Sequence, residues 1–237
     1  MEDIAQRLAA VHARIARAER QAGRPEGSVR LLAVSKTRPA TDIERALACG
    51  QHRFGESYVQ EALEKIAALP RPAVEWHLIG PIQTNKTRAI AENFDWVHSI
   101  DRLKVARRLS EQRPDGRPPL QVCLQVNISA ESSKAGAAPG ELSELAHAIG
   151  ALPRLRLRGL MAIPARAREP ARQREAFAAV RALYEGLRGD GLALDTLSMG
   201  MSGDLEAAIA EGATMVRIGT ALFGERPPRQ TPGAGAL

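Results

Sequence analysis

Apolar residues recur at Ile4, Leu8, Val11 and Ile15, the spacing of one face of a helix, so residues 2–22 are expected to form an amphipathic helix. Gly23 to Gly27 breaks that pattern. The period then shifts between short apolar runs and helical stretches. The strand candidates are Leu31–Ser35, Arg53–Gly55, Trp76–Ile79, Trp96–Val97, Gln121–Asn127, Leu155–Met161, Thr196–Ser198 and Met215–Ile218. Helical patterns fall between them at Ala40–Cys49, Tyr58–Leu69, Thr84–Glu92, Arg102–Gln112, Gly140–Leu152, Arg172–Arg188 and Leu205–Gly212. Strands that alternate with helices pair in parallel, because each crossover needs a helix. Eight such units predict an α/β fold, a single (β/α)8 TIM barrel with an extra N-terminal helix. That helix either covers one barrel end or fills the last helix position. A doubly wound open sheet is the alternative, but it wants a glycine-rich turn after the first strand, and Ser35-Lys36-Thr37-Arg38-Pro39 has no glycine. The barrel with its opening helix is expected to span residues 1–225. Residues 226–237, rich in Pro and Gly, are expected to be a flexible tail, and Arg113–Pro119 reads as a second loose stretch.

Composition narrows the function classes. Hydrophobic residues at 44% and charged residues at 25% are ordinary for a globular chain, while aromatics at 3% leave the core to Leu, Ile, Val and Ala. The formal charge of +6 comes mostly from arginines spread over helix faces, among them Arg7, Arg14, Arg17, Arg20, Arg172, Arg174, Arg181 and Arg188. A basic stripe interleaved with aromatics is missing, which argues against nucleic acid as a partner. No apolar stretch reaches the length of a membrane span and the N-terminus does not read as a signal peptide, so a cytoplasmic protein is expected. Cys49 and Cys123 read as buried, reduced thiols. The five histidines show no metal-ligand spacing.

Candidate chemistry begins at Lys36, which ends the first apolar run. The chain has five lysines against twenty-eight arginines, yet keeps lysine here. A desolvated lysine amine can lose its proton and attack an aldehyde, whereas arginine cannot form an imine. From the residue alone a lysine that snorkels to water stands beside that reading. Near the C-terminus, Ser198-Met199-Gly200-Met201-Ser202-Gly203-Asp204 and Ile218-Gly219-Thr220 both read as strand, glycine turn and helix start. Such turns bring backbone N–H groups close to an anion. In a barrel they follow strands seven and eight, where phosphate often sits, on the same face as Lys36. A phosphorylated aldehyde, held by both, is what pyridoxal 5′-phosphate would present.

From about residue 30 to residue 225 the chain resembles the pyridoxal phosphate homeostasis proteins, relatives of the alanine racemase N-terminal domain. The resemblance is carried by Ala33-Val34-Ser35-Lys36, Phe54-Gly55-Glu56-Ser57-Tyr58-Val59-Gln60-Glu61, His77 to Lys86, Val126-Asn127 with Glu131 and Lys134-Ala135-Gly136, Gly159-Leu160-Met161 and the two C-terminal turns. It implies a racemase-like barrel holding pyridoxal phosphate as an internal aldimine on Lys36. It also implies a phosphate site at Ser202, Gly203, Gly219 and Thr220, and Arg217 facing the pyridine nitrogen. Ser57, Asn127, Met161 and Ser198 complete the expected cofactor-binding set, with Met199 and Met201 on the pocket wall.

Ser57 stands where the family usually has Asn, and either reaches the ring through a water or caps the next helix. Lys86 and Lys134 read either as solvated lysines or as groups that attract phosphate. His77 and Trp76 read as packing. The resemblance implies a carrier in intracellular vitamin B6 homeostasis, with apo pyridoxal phosphate-dependent enzymes as partners. An amino-acid racemase is the alternative, but it needs a second acid/base. The tyrosines are Tyr58 and Tyr184, and Tyr184 is expected outside the barrel. The chain ends soon after strand eight, so a monomer is expected.

Overall fold

The computed structural model describes residues 3–69, 73–129, 135–165 and 167–225. The expected tail at 226–237, together with Glu131 and Lys134, lies outside the described residues. Eight strands form a closed parallel barrel in chain order. They are β1 (Arg30–Val34), β2 (Arg53–Glu56), β3 (Glu75–Leu78), β4 (Trp96–Ile100), β5 (Leu120–Val126), β6 (Leu155–Ala162), β7 (Thr196–Ser198) and β8 (Met215–Ile218), and β1 pairs with β8 to close the ring. The helices are α1 (Ile4–Gln21), α2 (Ala40–Ala48), α3 (Val59–Ala68), α4 (Thr87–Asn93), α5 (Leu103–Gln112), α6 (Leu142–Gly150), α7 (Pro170–Gly189), α8 (Leu205–Ala210) and the single turn α9 (Thr220–Phe223). No helix among the described residues is long and apolar enough to cross a membrane.

Helix α1 starts from a capping box, in which Asp3 accepts from the Ile4 amide and Gln6 reaches back to the Asp3 amide. Its apolar face, Leu8, Val11, Ile15 and Ala18, is buried against α8, α9 and α2. It therefore takes the last helix position of the barrel rather than covering an end. Buried Glu19 pins the turn into β1 by accepting from the Gly27 amide, the Ser28 hydroxyl and the Val29 amide.

Strand residues alternate between two environments, as the pleat requires. Leu31, Ala33, Phe54, Leu78, Val97, Leu124, Leu160, Val216 and Ile218 belong to the main core. Trp96, Cys123 and Met161 form a separate small cluster. His98 on β4 hydrogen-bonds Ser198 on β7, strands that are not neighbours, so this second set faces the barrel interior. Two glycines make the close approaches possible. A Cβ on Gly159 would lie 1.8 Å from the Thr196 carbonyl oxygen, and one on Gly80 would lie 2.1 Å from that of Ser57.

Four expectations need correction. Strand β4 runs to Ile100 rather than stopping at Val97, because His98 and Ser99 are buried and satisfied there, Ser99 by donating to the Gly80 carbonyl. The helical patterns at Thr84 and Gly140 each begin as a 3-10 turn (Thr84–Lys86 and Pro139–Glu141), and at the first the Thr87 hydroxyl donates back to the Thr84 carbonyl. Cys49 is exposed, since it caps α2 beyond that helix's last buried residue, Ala46; Cys123 is buried as expected. The Arg113–Pro119 stretch is anchored: buried Arg113 donates to the Ala91, Phe94 and Pro118 carbonyls.

Candidate functional site

Lys36 sits in the turn between β1 and α2, where its neighbours on both sides are clamped from behind the barrel wall. The Ser35 hydroxyl donates to Glu56 at 2.6 Å, and the Ser35 carbonyl accepts from Lys65 Nζ at 2.8 Å. Lys65 also pairs with Glu56 at 2.7 Å and Glu61 at 2.6 Å. Thr37, the one non-glycine among the described residues with a left-handed φ (64°), donates its amide to Glu61 at 2.6 Å. That carboxylate holds a conformation L-residues avoid. Burial holds the Glu56 carboxyl above its usual range, against the opposing pull of Lys65. The cluster fixes the backbone from which Lys36 projects.

Two glycine turns face Lys36. After β7, Gly200 adopts φ 93° and its carbonyl accepts from the Arg217 amide at 2.9 Å; a Cβ there would sit 2.6 Å from that of Ala208. Asp204 accepts from the Met201 amide at 2.6 Å and closes the turn. Arg14 on α1 donates to the Ser202 carbonyl at 2.8 Å and forms an ion pair with Glu206, whose carboxyl is held below its usual range by that hydrogen bond. The Ser202 hydroxyl accepts, at 3.5 Å, from the Ala221 amide, which ties this turn to the one after β8.

A cavity of ≈ 690 Å³ opens between these elements. Seven of the ten residues expected from the sequence line it: Lys36, Ser57, Ser202, Gly203, Arg217, Gly219 and Thr220. Asn127, Met161 and Ser198 are not among its lining residues. Met161 and Ser198 are fully buried in the barrel interior, Met161 against Trp96 and Cys123, and Ser198 against Arg217 and His98. Met201 lines the cavity, while Met199 is buried in the main core. Ser57 is not a helix cap, because Tyr58 takes the capping position before Val59 and α3 has no side-chain cap. Lys86 lies in the 3-10 turn after β3, away from the lining.

Sequence reasoning missed Arg38, Arg168, Asp204 and the apolar Ile79 and Ile163 in the lining. Arg38 lay two residues beyond Lys36 and was legible by proximity; nothing in the sequence pointed to Arg168. Three guanidinium groups, Arg38, Arg168 and Arg217, line the cavity with the Lys36 amine against one carboxylate, Asp204, so the cavity suits an anion. Arg217 donates to the Ser198 hydroxyl at 2.9 Å, to the Ala162 carbonyl at 2.9 Å and to the Ser198 carbonyl. Burial draws its guanidinium down to about 10, still cationic at neutral pH.

The family model for the alanine racemase N-terminal domain matches residues 6–227. The pyridoxal phosphate homeostasis protein of Pseudomonas aeruginosa is 62% identical over 226 residues, covering 95% of this chain and 97% of the relative. The chain belongs to the family of pyridoxal phosphate homeostasis proteins. The Escherichia coli K12 member of that name is 54% identical over 229 residues, covering 95% of this chain and 98% of its own. Among solved structures, PipY of Synechococcus elongatus matches this family member with a TM-score of 0.84 without PLP (41% identity) and 0.81 with PLP bound (39% identity). Each match covers 94% of this chain and 100% of PipY. Alanine racemase from Corynebacterium glutamicum, at 22% identity and a TM-score of 0.64, shares the fold over 63% of its own length.

Proposed function

We propose that this protein binds pyridoxal 5′-phosphate in the barrel cavity and takes part in intracellular vitamin B6 homeostasis as a carrier rather than as a catalyst. The observation that carries the reading is the convergence of Lys36, the two glycine turns and Arg217 on one cavity. The residues fit the cofactor. The cavity has room for a small phosphorylated ring and its lining is rich in cations. Gly219 packs so closely that an added Cβ would lie 3.3 Å from the Val34 carbonyl oxygen, which leaves backbone rather than side chain at the mouth of that turn.

Each lining group has a role in this reading. Ser202, Gly203, Gly219 and Thr220 hold the phosphate, and Lys36 holds the cofactor covalently. When bound, the cofactor supplies an aldehyde for a neutral amine and a pyridine ring that serves as an electron sink. Arg217 faces the ring nitrogen. A guanidinium does not give up a proton at neutral pH, so it leaves that nitrogen unprotonated and the ring a poorer sink. Family membership and the PLP-bound relative PipY support the same reading.

The carrier reading is favoured over a racemase by the titratable groups in the lining. Besides Lys36 they are Arg38, Arg168, Arg217 and Asp204. Asp204 is occupied with the Met201 amide, and the arginines are too basic to take the second acid/base role. Tyr184 lies on α7 and donates to the Leu194 carbonyl. The test is the visible absorption spectrum of the protein loaded with pyridoxal phosphate, beside Lys36→Ala, before and after borohydride. A visible band that borohydride bleaches and the variant lacks is expected. A protein that cannot be loaded overturns the proposal.

A further inference from the structure

A line of polar side chains runs through the barrel interior beneath Arg217. Glu75 Oε1 meets His77 Nε2 at 2.8 Å, His77 Nδ1 meets His98 Nε2 at 2.8 Å, and His98 Nδ1 meets the Ser198 hydroxyl at 2.8 Å. The Ser198 hydroxyl accepts from Arg217 at 2.9 Å. Four strands contribute: β3 gives Glu75 and His77, β4 His98, β7 Ser198 and β8 Arg217. His77, His98 and Ser198 are fully buried, whereas Glu75 is 39% exposed at the start of its strand. His77 is stacked on Trp96, with centroids 5.3 Å apart and planes 10° from parallel.

The donors in this line can be assigned from its ends. Burial opposes the Glu75 carboxylate, but the His77 hydrogen bond and the charges of Arg53 and Arg30 outweigh that and keep the carboxyl below its usual range. An ionised carboxylate only accepts, so His77 carries its proton on Nε2. Burial lowers His77, against the pull of Glu75 and Asp95, and lowers His98 further, with the charges of Arg217 and Arg30 adding to the effect. Both rings are therefore neutral at pH 7. His77 Nδ1 then accepts, His98 donates from Nε2, and His98 Nδ1 accepts from the Ser198 hydroxyl. With its proton committed, Ser198 offers a lone pair to Arg217. Every hydrogen bond points the same way, from the cation at the cavity to the carboxylate at the far end.

We infer that Glu75, His77, His98 and Ser198 are positioning residues for Arg217, a one-way hydrogen-bond chain that orients the Ser198 lone pair and so sets the guanidinium in the cavity floor. The inference rests on the cofactor reading only for its effect on binding; the chain itself is a property of the protein alone. Aligned hydrogen bonds polarise one another in a dry interior, so an acceptor at one end steadies the donor at the other.

The first test uses the protein without cofactor. Histidine ¹⁵N labelling with long-range ¹H–¹⁵N NMR at pH 7 is expected to show His77 and His98 both neutral and protonated on Nε2. Glu75→Ala is expected to shift the His98 ring nitrogens although, of the two rings, Glu75 hydrogen-bonds only that of His77. An Nδ1-protonated or doubly protonated ring in the wild type, or an unmoved His98 in Glu75→Ala, overturns the chain.

The second test is pyridoxal phosphate binding. Ser198→Ala is expected to raise Kd about tenfold, the size of one hydrogen bond to a charged group. Glu75→Ala is expected to raise it about threefold, and the double variant to match Ser198→Ala because the link is already cut. Ser198→Thr, which keeps the hydroxyl, is expected to restore binding. Additive losses in the double variant, or no rescue by Thr, overturn the positioning role. A wild type that fails to bind the cofactor sinks the cofactor reading and leaves the NMR result standing on its own.

Discussion

Lys65→Met is the substitution that most directly tests how the Lys36 turn is held. Methionine keeps an unbranched stem of similar reach but removes three charge-assisted hydrogen bonds, to the Ser35 carbonyl, Glu56 and Glu61. Lys65 is 6% exposed and Glu56 0%, so the variant leaves a buried carboxylate with only the Ser35 hydroxyl as partner. Breaking one side of a buried pair costs about 3–5 kcal/mol, and that range is the expected loss at pH 8. The loss must depend on pH, with a sign fixed by Glu56. Its folded-state value already lies above the usual 4.5, through burial first, with Lys65 pulling it down. A carboxyl raised on folding contributes stability that is fully present below the unfolded value and is lost as pH rises through the folded one. Removing Lys65 removes the downward pull and moves that loss to higher pH. Urea unfolding at pH 8 and pH 5 is therefore expected to show a deficit that shrinks in acid. Adding Glu56→Gln to Lys65→Met is expected to recover part of the loss, because the uncompensated charge is gone. A deficit equal at both pH values, or a double variant weaker than Lys65→Met, would refute the reasoning.

Two further outcomes follow from the packing. In Gly80→Ala the new Cβ would meet the Ser57 carbonyl oxygen at 2.1 Å, with backbone on both sides, so no rotamer relieves it. The expected loss in urea unfolding is about 3 kcal/mol, and a change under about 0.5 kcal/mol would contradict the close approach. An aromatic thiol reagent is expected to titrate one thiol in the native protein, the exposed Cys49, and the second on unfolding. Cys123 is fully buried and burial pushes its thiol up to about 12. Rapid native reaction of both thiols would place Cys123 wrongly.

The eight strands were legible because their alternation is local: each apolar run ends at a glycine, a proline or a charged turn within a few residues. The groups nearest the carboxyl ends of β1, β7 and β8 were legible for the same reason, as Lys36, Ser202 and Gly219 lie beside recognisable turns. What the pattern hid is the inward-facing set. His77 and His98 look like isolated histidines on two short strands, and only the closed ring brings His98 to Ser198, a hundred residues away in the chain. Ser198 and Met161 are expected in the lining on the family resemblance. Both are fully buried in the barrel interior instead, and sequence spacing does not report that depth. Nothing marks Lys65 within the helical pattern Tyr58–Leu69, although its partners Glu56 and Glu61 stand nine and four residues upstream.

The place taken by α1 has a consequence for the order in which the molecule can assemble. Helix α1 docks on elements that follow it by most of the barrel: Arg14 meets Glu206 across 192 residues, and β1 completes its ring only with β8. Contacts of such long sequence separation carry the largest loop-closure cost, which is recovered only once both ends are present. A growing chain therefore carries the amphipathic face of α1 with α2 beside it but without α8 and α9 until those helices have been made. The turn at Ser202 gains its hydrogen bond from Arg14 only when α1 and the segment after β7 are both in place.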